Sequence, residues 1–350
     1  MKASVFYGIE DIRVEEVEEP VCGENEIKIQ VYYCAICGTD VRIFFSGHKK
    51  VIPPAIIGHE ITGKVVEIGK NVDYPEIKVG DKVIVVTTIG CGKCKMCQKG
   101  YYNLCPDVKA IGYYYQGGYA EYLVVPEMAI KQKAVLKLPD NVSLLEGSLI
   151  EPLSCCINGQ KYLNIGKDDN VVIFGGGPIG FMHAVLAKVK GAEKVIIVDP
   201  DYQRIEKFGK NFPELILLDG KGNYKGEIMK LTNNFGPDVV ITACPAKQAQ
   251  IEGIALLGSK GRISFFGGLP KDNSTITIDS NIIHYKEISV FGSFASNRDE
   301  FLKATEFISE GKVEPEKFIT EVLPLEKIKE GLKKVKSGEV LKCVVEIKNG

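Results

Sequence analysis

The spacing of apolar residues divides the chain into two parts near residue 150. Before that point, alternating and β-branched runs recur between turns that contain glycine, which is typical of short β-strands. The predicted strands are Ala3–Tyr7, Ile27–Tyr33, Ile61–Ile68, Lys82–Thr87 and Tyr119–Val125. Many short strands with such turns predict a β-rich domain of the barrel or sandwich kind.

Beyond residue 150, short apolar strands alternate with helical segments. The predicted strands are Val171–Phe174, Lys194–Val198, Glu214–Leu218, Asp238–Thr242, Gly261–Phe266 and Ile288–Phe291. The predicted helices between them include Ile179–Lys190, Gln203–Gly209 and Ala246–Leu257. This β-α alternation predicts a parallel sheet that is covered by helices on both faces.

The C-terminal part of the chain has a mixed pattern. Helices near Arg298–Glu310 and Leu325–Ser337 precede a strand near Lys342–Ile347, and we expect this strand to rejoin the first domain. A chain of 350 residues is too long for one typical core and suggests two domains. The predicted fold class is therefore α/β with a separate β-rich domain.

Composition narrows the possible functions. The 44 basic and 45 acidic residues leave a net charge of −1, which gives no electrostatic footprint for nucleic acid or an anionic membrane. No apolar run is long enough to span a bilayer. The chain starts directly in a strand-like pattern, without the apolar region of a signal peptide, so we expect a cytoplasmic protein. Eleven cysteines in such a chain suggest metal ligands or buried thiols rather than disulfides.

A glycine-rich turn predicts a dinucleotide site. Gly175, Gly177 and Gly180 fit the G-x-G-x-x-G pattern between a predicted strand and a predicted helix. Glycines at these positions let backbone N–H groups approach a pyrophosphate at the helix N-terminus, where the helix dipole favours anions. Pro178 and Ile179 begin the helix, and proline suits a first turn that needs no N–H partner.

The acidic residue after the next strand bears on the choice of cofactor. Asp199 lies about 20 residues beyond the glycines, where a carboxylate bonds the ribose hydroxyls of NAD. The same carboxylate would repel the 2′-phosphate of NADP, so the sequence favours NAD. Arg204 lies nearby at the start of a helix and is a secondary candidate for the same pocket. The alternative is a glycine-rich turn that binds no ligand.

The most specific metal pattern is a run of four cysteines within residues 90–106. Cys91, Cys94, Cys97 and Cys105 can close a tetrahedral zinc site with no open position, and such a site is structural. The lobe would project from the β-rich domain as a loop held by zinc. Four free thiols or an iron–sulfur cluster are the alternatives, but nothing else in the sequence suggests electron transfer.

A second group of metal-ligand types lies earlier in the chain. Cys37 begins the sequence Cys-Gly-Thr-Asp, and His59 and Glu60 follow Gly58. A thiolate, an imidazole and a carboxylate are ligands that hold a catalytic zinc while one position stays open. Taken singly, the same residues would be a buried thiol, a core histidine and a surface charge.

The order of these motifs resembles the zinc-containing medium-chain alcohol and polyol dehydrogenases. Cys-Gly-Thr-Asp, Gly-His-Glu, the four-cysteine lobe, Glu151-Pro152 and the glycine fingerprint follow one another as in that family. Gly63 and Gly69, after Gly58, also fit its zinc signature. Within the family, the chain is most similar to the sorbitol, threonine and related bacterial sugar-alcohol dehydrogenases.

The resemblance implies a domain organisation and a set of cofactors. It places a GroES-like catalytic domain at residues 1–152, with the zinc lobe at 90–106, and a Rossmann NAD-binding domain at 153–292. Residues 293–350 would return to the catalytic domain. Two zinc ions per chain, NAD and a small alcohol or polyol substrate are implied. A homodimer or homotetramer is also implied, formed through the sheet edge near Ser289–Gly292.

The resemblance also assigns roles to single residues. Cys37 and His59 would bind the catalytic zinc, with Glu60 and Glu151 both candidates for the remaining ligand. Thr39 matches the hydroxyl that relays the alcohol proton, and Asp40 would orient His59. In the implied mechanism, zinc acts as a Lewis acid on a secondary alcohol, and hydride passes to the nicotinamide ring.

Departures from the family pattern limit the choice of substrate. The arginine and tyrosine that sorbitol enzymes carry after the last sheet strand are missing from Gly292–Ser296. Simple alcohol dehydrogenases have a relay histidine where this chain has Arg42. His48 is near enough in sequence to replace it, but the sequence favours a solvated loop histidine at this position. Threonine enzymes carry a histidine just before the lobe, where this chain has Thr87–Gly90. The sequence therefore predicts a polyol or secondary alcohol without naming it.

Other classes of protein remain as alternatives. A dehydrogenase of simple secondary alcohols or of threonine-like hydroxy amino acids is the nearest. A zinc-ribbon protein that binds nucleic acid is more remote, because a binding face needs a broader basic patch than the lobe provides. A catalytically silent nucleotide sensor conflicts with the complete set of ligand-type residues.

Overall fold

The computed structural model describes residues 1–348. Its strands are β1 (Lys2–Gly8), β2 (Asp11–Glu16), β3 (Ile27–Ala35), β4 (Ala55–Ile56), β5 (Glu60–Ile68), β6 (Lys82–Val85), β7 (Thr88–Ile89), β8 (Lys109–Ala110), β9 (Tyr122–Val125), β10 (Val135–Lys137), β11 (Asn170–Phe174), β12 (Lys194–Asp199), β13 (Ile216–Asp219), β14 (Val239–Thr242), β15 (Arg262–Phe265), β16 (Ser289–Gly292), β17 (Ile319–Pro324) and β18 (Lys342–Glu346). Its α-helices are α1 (Gly38–Ser46), α2 (Lys95–Gln98), α3 (Glu127–Lys131), α4 (Leu144–Gly147), α5 (Ile150–Gly159), α6 (Pro178–Val189), α7 (Tyr202–Gly209), α8 (Tyr224–Leu231), α9 (Lys247–Leu256), α10 (Ser280–Lys286), α11 (Arg298–Ser309) and α12 (Ile328–Ser337).

The first compact unit combines Met1–Ser154 with the segment from Ala295 onward and is rich in β-structure. Its main sheet has seven strands in the order β10-β6-β5-β3-β18-β17, and β9 also pairs with β3. Strand β3 is central because apolar residues along its length are buried, among them Ile27, Ile29 and Val31. Strand β18 pairs antiparallel with the end of β3, so the C-terminal strand belongs to this sheet.

The second compact unit, Cys155–Phe294, is built on one parallel sheet. Its six strands follow the order β13-β12-β11-β14-β15-β16, and every pair is parallel. Numbered within the unit, this is the 3-2-1-4-5-6 order of doubly wound dinucleotide-binding folds. The strands are rich in valine and isoleucine because helices cover both faces, and Ile228 and Ile254 from two helices join the core of strand residues. The predicted parallel sheet is confirmed.

Some elements differ from those that the sequence pattern predicts. The predicted strand Tyr119–Val125 begins only at Tyr122, because Tyr119 bonds through its backbone to Ile57 and Ser4 instead of to a sheet neighbour. Helix α1 was not predicted, since its β-branched and aromatic residues are poor helix formers. A capping box at its start and burial of Ile43 offset that weak propensity.

The sequence contains no apolar run long enough to span a bilayer, and the helices of the structure can be compared with that prediction. Within residues 1–348, no helix combines the length and the apolar character needed to cross a membrane.

Helix α6, which follows the glycine-rich turn, carries a buried histidine. His183 has no exposed surface, and its ring packs edge-on against Phe266 with centroids 4.6 Å apart. The Gln160 Nε2 donates to the His183 carbonyl at 2.8 Å and lies 3.2 Å from Nδ1. Burial first, and the Lys190 charge second, lower the pKa of His183 to about 3. The folded protein therefore keeps this imidazole neutral near pH 7.

Acid should destabilise the protein through His183. The ordinary pKa of 6.5 applies to the unfolded chain and about 3 to the folded one, so the unfolded state binds more protons between these values. The stabilisation is full above the unfolded pKa and is lost as the pH falls toward the folded pKa. Between about pH 6 and pH 4, the free energy of unfolding of the wild type should fall more steeply than that of His183→Gln, by up to about 1.4 kcal/mol per pH unit. Urea unfolding across this range measures both slopes, and equal slopes would contradict the assignment.

Candidate active site and metal centres

Cys37 lies at the N-terminus of α1, where the chain turns out of strand β3. Its Sγ accepts a hydrogen bond from Thr39 N at 3.4 Å, and Asp40 Oδ2 accepts one from Cys37 N at 3.0 Å. The two bonds form the capping box that begins the helix, and N–H groups at a helix N-terminus favour a negatively charged side chain. The position therefore suits a thiolate.

Asp40 connects this helix to the histidine of the Gly-His-Glu motif. Its Oδ1 lies 3.2 Å from His59 Nδ1, and its Oδ2 accepts a hydrogen bond from the Tyr119 hydroxyl at 2.9 Å. Burial alone would raise the pKa of Asp40, but the His59 charge and these hydrogen bonds hold the pKa below its ordinary value. Burial, the largest single effect, would lower the pKa of His59, yet Asp40, together with Tyr113 and Cys37, raises it well above the ordinary value. Asp40 thus orients the ring and fixes which nitrogen faces away from it.

Three ligand-type side chains converge at this point. Cys37, His59 and Glu60 each offer one ligand atom, and these atoms all lie within 4.8 Å of one another. Gly58 makes the approach possible: its φ is +96°, and a Cβ there would come within 2.9 Å of the Cys34 sulfur. The donor set and its spacing fit a zinc ion.

Glu60 is held by a lysine from the C-terminal strand. Lys342 Nζ lies 2.7 Å from one Glu60 carboxylate oxygen, and it also donates to the Ile36 carbonyl at 3.1 Å. Both side chains are almost completely buried. Burial, the largest single effect, would lower the pKa of Lys342, but the charges of Glu60 and Cys37 and the hydrogen bond to Glu60 together raise it above its ordinary value. The carboxylate is therefore partly neutralised before any metal binds.

Glu151, the other candidate ligand, lies on α5 and is not part of the three-residue group. Its charge nevertheless raises the pKa of Lys342, after the larger effects of Glu60 and Cys37. Glu151 thus contributes to the electrostatics of the same centre. The structure places Glu60 among the ligand atoms and Glu151 in their neighbourhood.

The exposed side of the site contains Thr39 and two aromatic rings. The Tyr113 ring lies 5.5 Å from that of His59 and 5.3 Å from that of His48, measured between centroids. Burial raises the pKa of Tyr113 to about 12, and the Thr39 hydroxyl is one of the groups that act on it. Arg42 Nη2 lies 3.5 Å from Thr39 Oγ1. Thr39 and the candidate relay His48 are therefore neighbours of the same tyrosine.

Sequence reasoning missed three residues of this site. Lys342, Tyr113 and Tyr119 belong to no motif. Lys342 does leave a trace, because a lysine inside the apolar run of a predicted strand must either face solvent or find a buried partner. The tyrosines leave none, since their roles depend on which strands lie beside them.

The four cysteines of the lobe meet in one place. Their sulfur atoms all lie within 4.8 Å of one another, with 3.5 Å between Cys94 and Cys97 and 3.8 Å between Cys94 and Cys105. A tetrahedron with Zn–S bonds of about 2.3 Å has sulfur–sulfur edges of about 3.8 Å. Backbone N–H groups lower the pKa of Cys91 to about 6, whereas burial raises that of Cys97 to about 12. Cys91 thus favours the thiolate that a metal needs, and Cys97 becomes a thiolate only when a cation offsets its burial. The residues fit a closed zinc site.

The glycine-rich turn has the geometry expected of a pyrophosphate site. A Cβ on Gly180 would come within 1.8 Å of the Gly175 carbonyl, so helix and strand pack too closely there for any side chain. A Cβ on Gly177 would meet no atom, so packing does not explain this glycine. Pro178 and the following Ile179 begin α6 just beyond it. An open backbone at a helix N-terminus fits an approaching anion.

Asp199 ends strand β12 and is already partly engaged. Its Oδ2 accepts hydrogen bonds from Gly176 N at 2.7 Å and from Arg204 Nη2 at 2.8 Å, and its Oδ1 accepts one from Asp201 N at 2.8 Å. Asp199, Arg204 and Gly175 line a cavity of about 770 Å³ at the carboxyl ends of the strands. Arg204 thus has a direct partner in Asp199 beside this cavity.

Comparison with known proteins gives the same picture over the whole chain. Residues 23–140 match the alcohol dehydrogenase GroES-like domain, and residues 178–310 match the zinc-binding dehydrogenase domain. Sorbitol dehydrogenase of Halalkalibacterium halodurans is 32% identical over 99% of both chains. L-threonine 3-dehydrogenase of Pyrococcus horikoshii is 32% identical over 99% of this chain and 98% of its own. A Sinorhizobium meliloti structure described as a zinc-binding dehydrogenase bound to NADP is 28% identical, with 99% of both chains covered and a TM-score of 0.88.

The chain belongs to the zinc-containing medium-chain alcohol and polyol dehydrogenases. It is a dehydrogenase of small alcohols that uses zinc and a nicotinamide dinucleotide, which confirms the enzyme class predicted from the motifs. The GroES-like and Rossmann-type fold class is confirmed as well.

Removing one member of the buried Glu60–Lys342 pair should strongly destabilise the protein. Lys342→Met leaves an uncompensated carboxylate, and breaking a buried pair typically costs about 3–5 kcal/mol. The double variant Glu60→Gln/Lys342→Met removes both charges and should recover most of that loss. Urea unfolding at fixed free zinc measures the three free energies. If Lys342→Met were as stable as the wild type, the two side chains would not form a buried pair.

Proposed function

We propose that the protein catalyses hydride transfer between a secondary alcohol, in particular a polyol, and NAD. The observation that carries this proposal is the convergence of Cys37, His59 and Glu60 on one point, next to the Thr39 hydroxyl. A zinc bound there would act as a Lewis acid that polarises the oxygen of the substrate, and bound NAD would supply the hydride acceptor.

The ligands that we assign to the catalytic zinc are Cys37, His59 and Glu151. Glu60 lies within reach of the same point, but Lys342 Nζ already neutralises it at 2.7 Å. Glu151 acts electrostatically on the same lysine, and we therefore assign it as the third ligand.

Thr39 is the residue that we assign to proton transfer. Its hydroxyl can accept the alcohol proton and pass its own hydrogen onward, since a hydroxyl is both donor and acceptor. Tyr113 stays protonated across the working pH range, because its pKa is about 12. His48 is half-buried beside Tyr113, and burial, with Arg42 and Lys50, lowers its pKa. A neutral His48 is available to pass the proton to water.

We assign a second, structural zinc to the four cysteines of the lobe. Gly92 and Gly100 both have positive φ, at 75° and 80°, which lets the backbone wrap around the ion. No coordination position would remain for substrate, so this ion would stabilise the lobe without taking part in the reaction.

The preference for NAD over NADP rests on Asp199. Three hydrogen bonds occupy its oxygens, and a carboxylate offers about four acceptor positions. One position on Oδ1 is therefore left for a ribose hydroxyl. Arg204 offsets part of the repulsion toward a 2′-phosphate, so we expect a finite preference rather than complete exclusion.

Relatives that act on sorbitol and on threonine match this chain at the same identity, 32%. A threonine-like hydroxy amino acid is therefore the second candidate substrate. The absence of a histidine from Thr87–Gly90 favours the polyol.

We propose a homodimer or homotetramer formed through β16, an edge strand of the parallel sheet on which Val290 is 41% exposed. We expect the protein to work in the cytoplasm.

Metal content and activity together test the site. The wild type should bind two zinc ions per chain and reduce NAD with at least one secondary alcohol from a panel of polyols, polyol phosphates, threonine and simple alcohols. Cys37→Ala and Glu151→Gln should each lose one zinc and at least about 99% of the activity, because the ligand set becomes incomplete. Elemental analysis and NADH absorbance measure the two outcomes.

Two matched variants separate the roles. Cys94→Ser should lose the lobe zinc and lower stability, while the catalytic zinc remains. Glu60→Gln/Lys342→Met should keep two zinc ions if Glu151 is the ligand. If this double variant lost the catalytic zinc and Glu151→Gln kept it, Glu60 would be the ligand instead. Full activity of Cys37→Ala on any alcohol would refute the proposed function.

Replacing Asp199 should relax the choice of cofactor. In Asp199→Gly, the carboxylate that bonds ribose and repels a 2′-phosphate is gone, and Arg204 is free to meet that phosphate. The ratio of kcat/KM for NAD to that for NADP should fall at least about tenfold, which corresponds to one charged hydrogen bond. Asp219→Asn, at the end of the neighbouring strand, is the control and should leave the ratio unchanged. An unchanged ratio in Asp199→Gly would remove Asp199 from this role.

A further inference from the structure

A group of cations lies on the exposed side of Thr39. Arg42, one turn farther along α1, extends its Nη2 to 3.5 Å from Thr39 Oγ1 and is exposed. Helix α1 ends at Gly47, and His48 and Lys50 follow in the next loop. Lys50 N donates to His48 Nδ1 at 3.2 Å, and Lys50 Nζ donates to the Val108 carbonyl at 3.4 Å. We call Arg42, His48 and Lys50 the basic cluster.

The basic cluster lies next to the proposed reaction centre. The His48 and Tyr113 rings meet edge to face at 5.3 Å, and the same tyrosine packs on His59 at 5.5 Å. His48 is therefore one aromatic ring away from a proposed zinc ligand. Arg42 contacts Thr39, whose hydroxyl acts on the same tyrosine. A molecule that contacts Thr39 lies within reach of both.

The positive charges of Arg42 and Lys50 have no carboxylate counterpart among the residues that the structure describes. Among residues 1–348, no carboxylate forms an ion pair with Arg42 or Lys50, whereas Arg13, Arg204 and Arg262 each pair with an aspartate. The nearby acids face other groups: Asp40 is engaged by His59 and Tyr119, and Glu60 by Lys342. An unpaired arginine beside a reactive hydroxyl points to an anionic partner from outside.

We propose that the substrate is a phosphate ester of a polyol, with its phosphate close to the carbinol that reacts. The planar fork of Arg42 suits two oxygens of such a group, and Lys50 adds a point charge. The hydrogen of a neutral His48 imidazole is a further donor. Three donors match the three terminal oxygens of a phosphate monoester better than the two of a carboxylate. This inference rests on the proposed function, because it names the substrate class of the same site.

The test compares polyols with their monophosphates on the zinc-loaded enzyme. The wild type should have a higher kcat/KM for a phosphorylated polyol, and added salt should lower that value because screening weakens the attraction. Arg42→Gln should lower the ratio of kcat/KM for the phosphorylated polyol to kcat/KM for the free polyol about tenfold to a hundredfold, mainly through KM. An effect of Arg42 through Thr39 or His48 acts on both substrates and cancels in this ratio. Lys50→Gln should cause a smaller loss, about threefold to tenfold. Arg13→Gln, at a surface arginine on β2, is the matched control and should leave kcat/KM for both substrates unchanged.

Other results would overturn the inference in distinguishable ways. Equal kcat/KM for free and phosphorylated polyols in the wild type would refute it while leaving the proposed function intact. A higher kcat/KM for hydroxy acids than for phosphorylated polyols would show that the anionic group of the substrate is a carboxylate and not a phosphate. If Arg42→Gln lowered kcat/KM equally for both substrates and also weakened NADH binding, measured by NADH fluorescence, Arg42 would be assigned to cofactor binding. No turnover of any alcohol would instead count against the proposed function.

A measurement without turnover supports the kinetic test. Inorganic phosphate should inhibit competitively against the phosphorylated polyol, and Arg42→Gln should weaken this inhibition about tenfold or more. Arg42→Lys keeps the charge but not the fork, so it should retain part of the binding. If Arg42→Gln failed to fold, Arg42→Lys and Lys50→Gln would still decide the question. Inhibition that is identical in all variants would refute the role of the cluster.

Discussion

The buried ion pair between Glu60 and Lys342 is the constraint on which the first unit depends. It joins the start of β5, next to His59, to the start of the C-terminal strand β18. A charge buried in a protein core is costly unless it has a partner. Each of these two strands can therefore be buried at low cost only when the other strand is also in position. The position of the Gly-His-Glu motif is therefore fixed by a residue that lies far away in the sequence.

The two groups of ligand-type side chains, each proposed to bind zinc, are built in different ways. The lobe is local: four thiols within 15 residues, with backbone N–H groups that favour the thiolate on Cys91. The catalytic centre is assembled from separate elements, with Cys37 from a helix terminus and His59 from the turn before β5. Asp40 and Lys342 then balance its charges. A local centre can form from its own loop, whereas the assembled one requires the folded sheet.

The sequence predicts the parts of the fold that are governed by local pattern. The alternation of strands and helices after Val171 predicts the parallel sheet, because an all-parallel sheet buries continuous apolar strands. The same is true of the four-cysteine lobe, whose ligand spacing is short. Helix α1 could not be predicted from the sequence pattern, because its capping box and buried face outweigh a poor intrinsic helix propensity. Tyr113 and Tyr119 could not be predicted as site residues, since only the folded chain brings them to His59 and Asp40. The sequence signal of Lys342, a lysine within an apolar strand, does not name its partner Glu60. The roles of the ligand residues themselves stay predictions.

Helix α1 carries several separable properties on nine residues. Cys37 begins it, Thr39 and Asp40 occupy its first turn, and Arg42 faces the solvent one turn later. The residues proposed to perform the chemistry lie at the buried start of the helix, while those proposed to select the substrate lie on its exposed side and in the loop beyond. Substitutions at Arg42 or in that loop could thus change the accepted substrate without disturbing the capping box. In an evolving lineage, new substrate ranges could arise from this short stretch while the reaction itself is inherited unchanged.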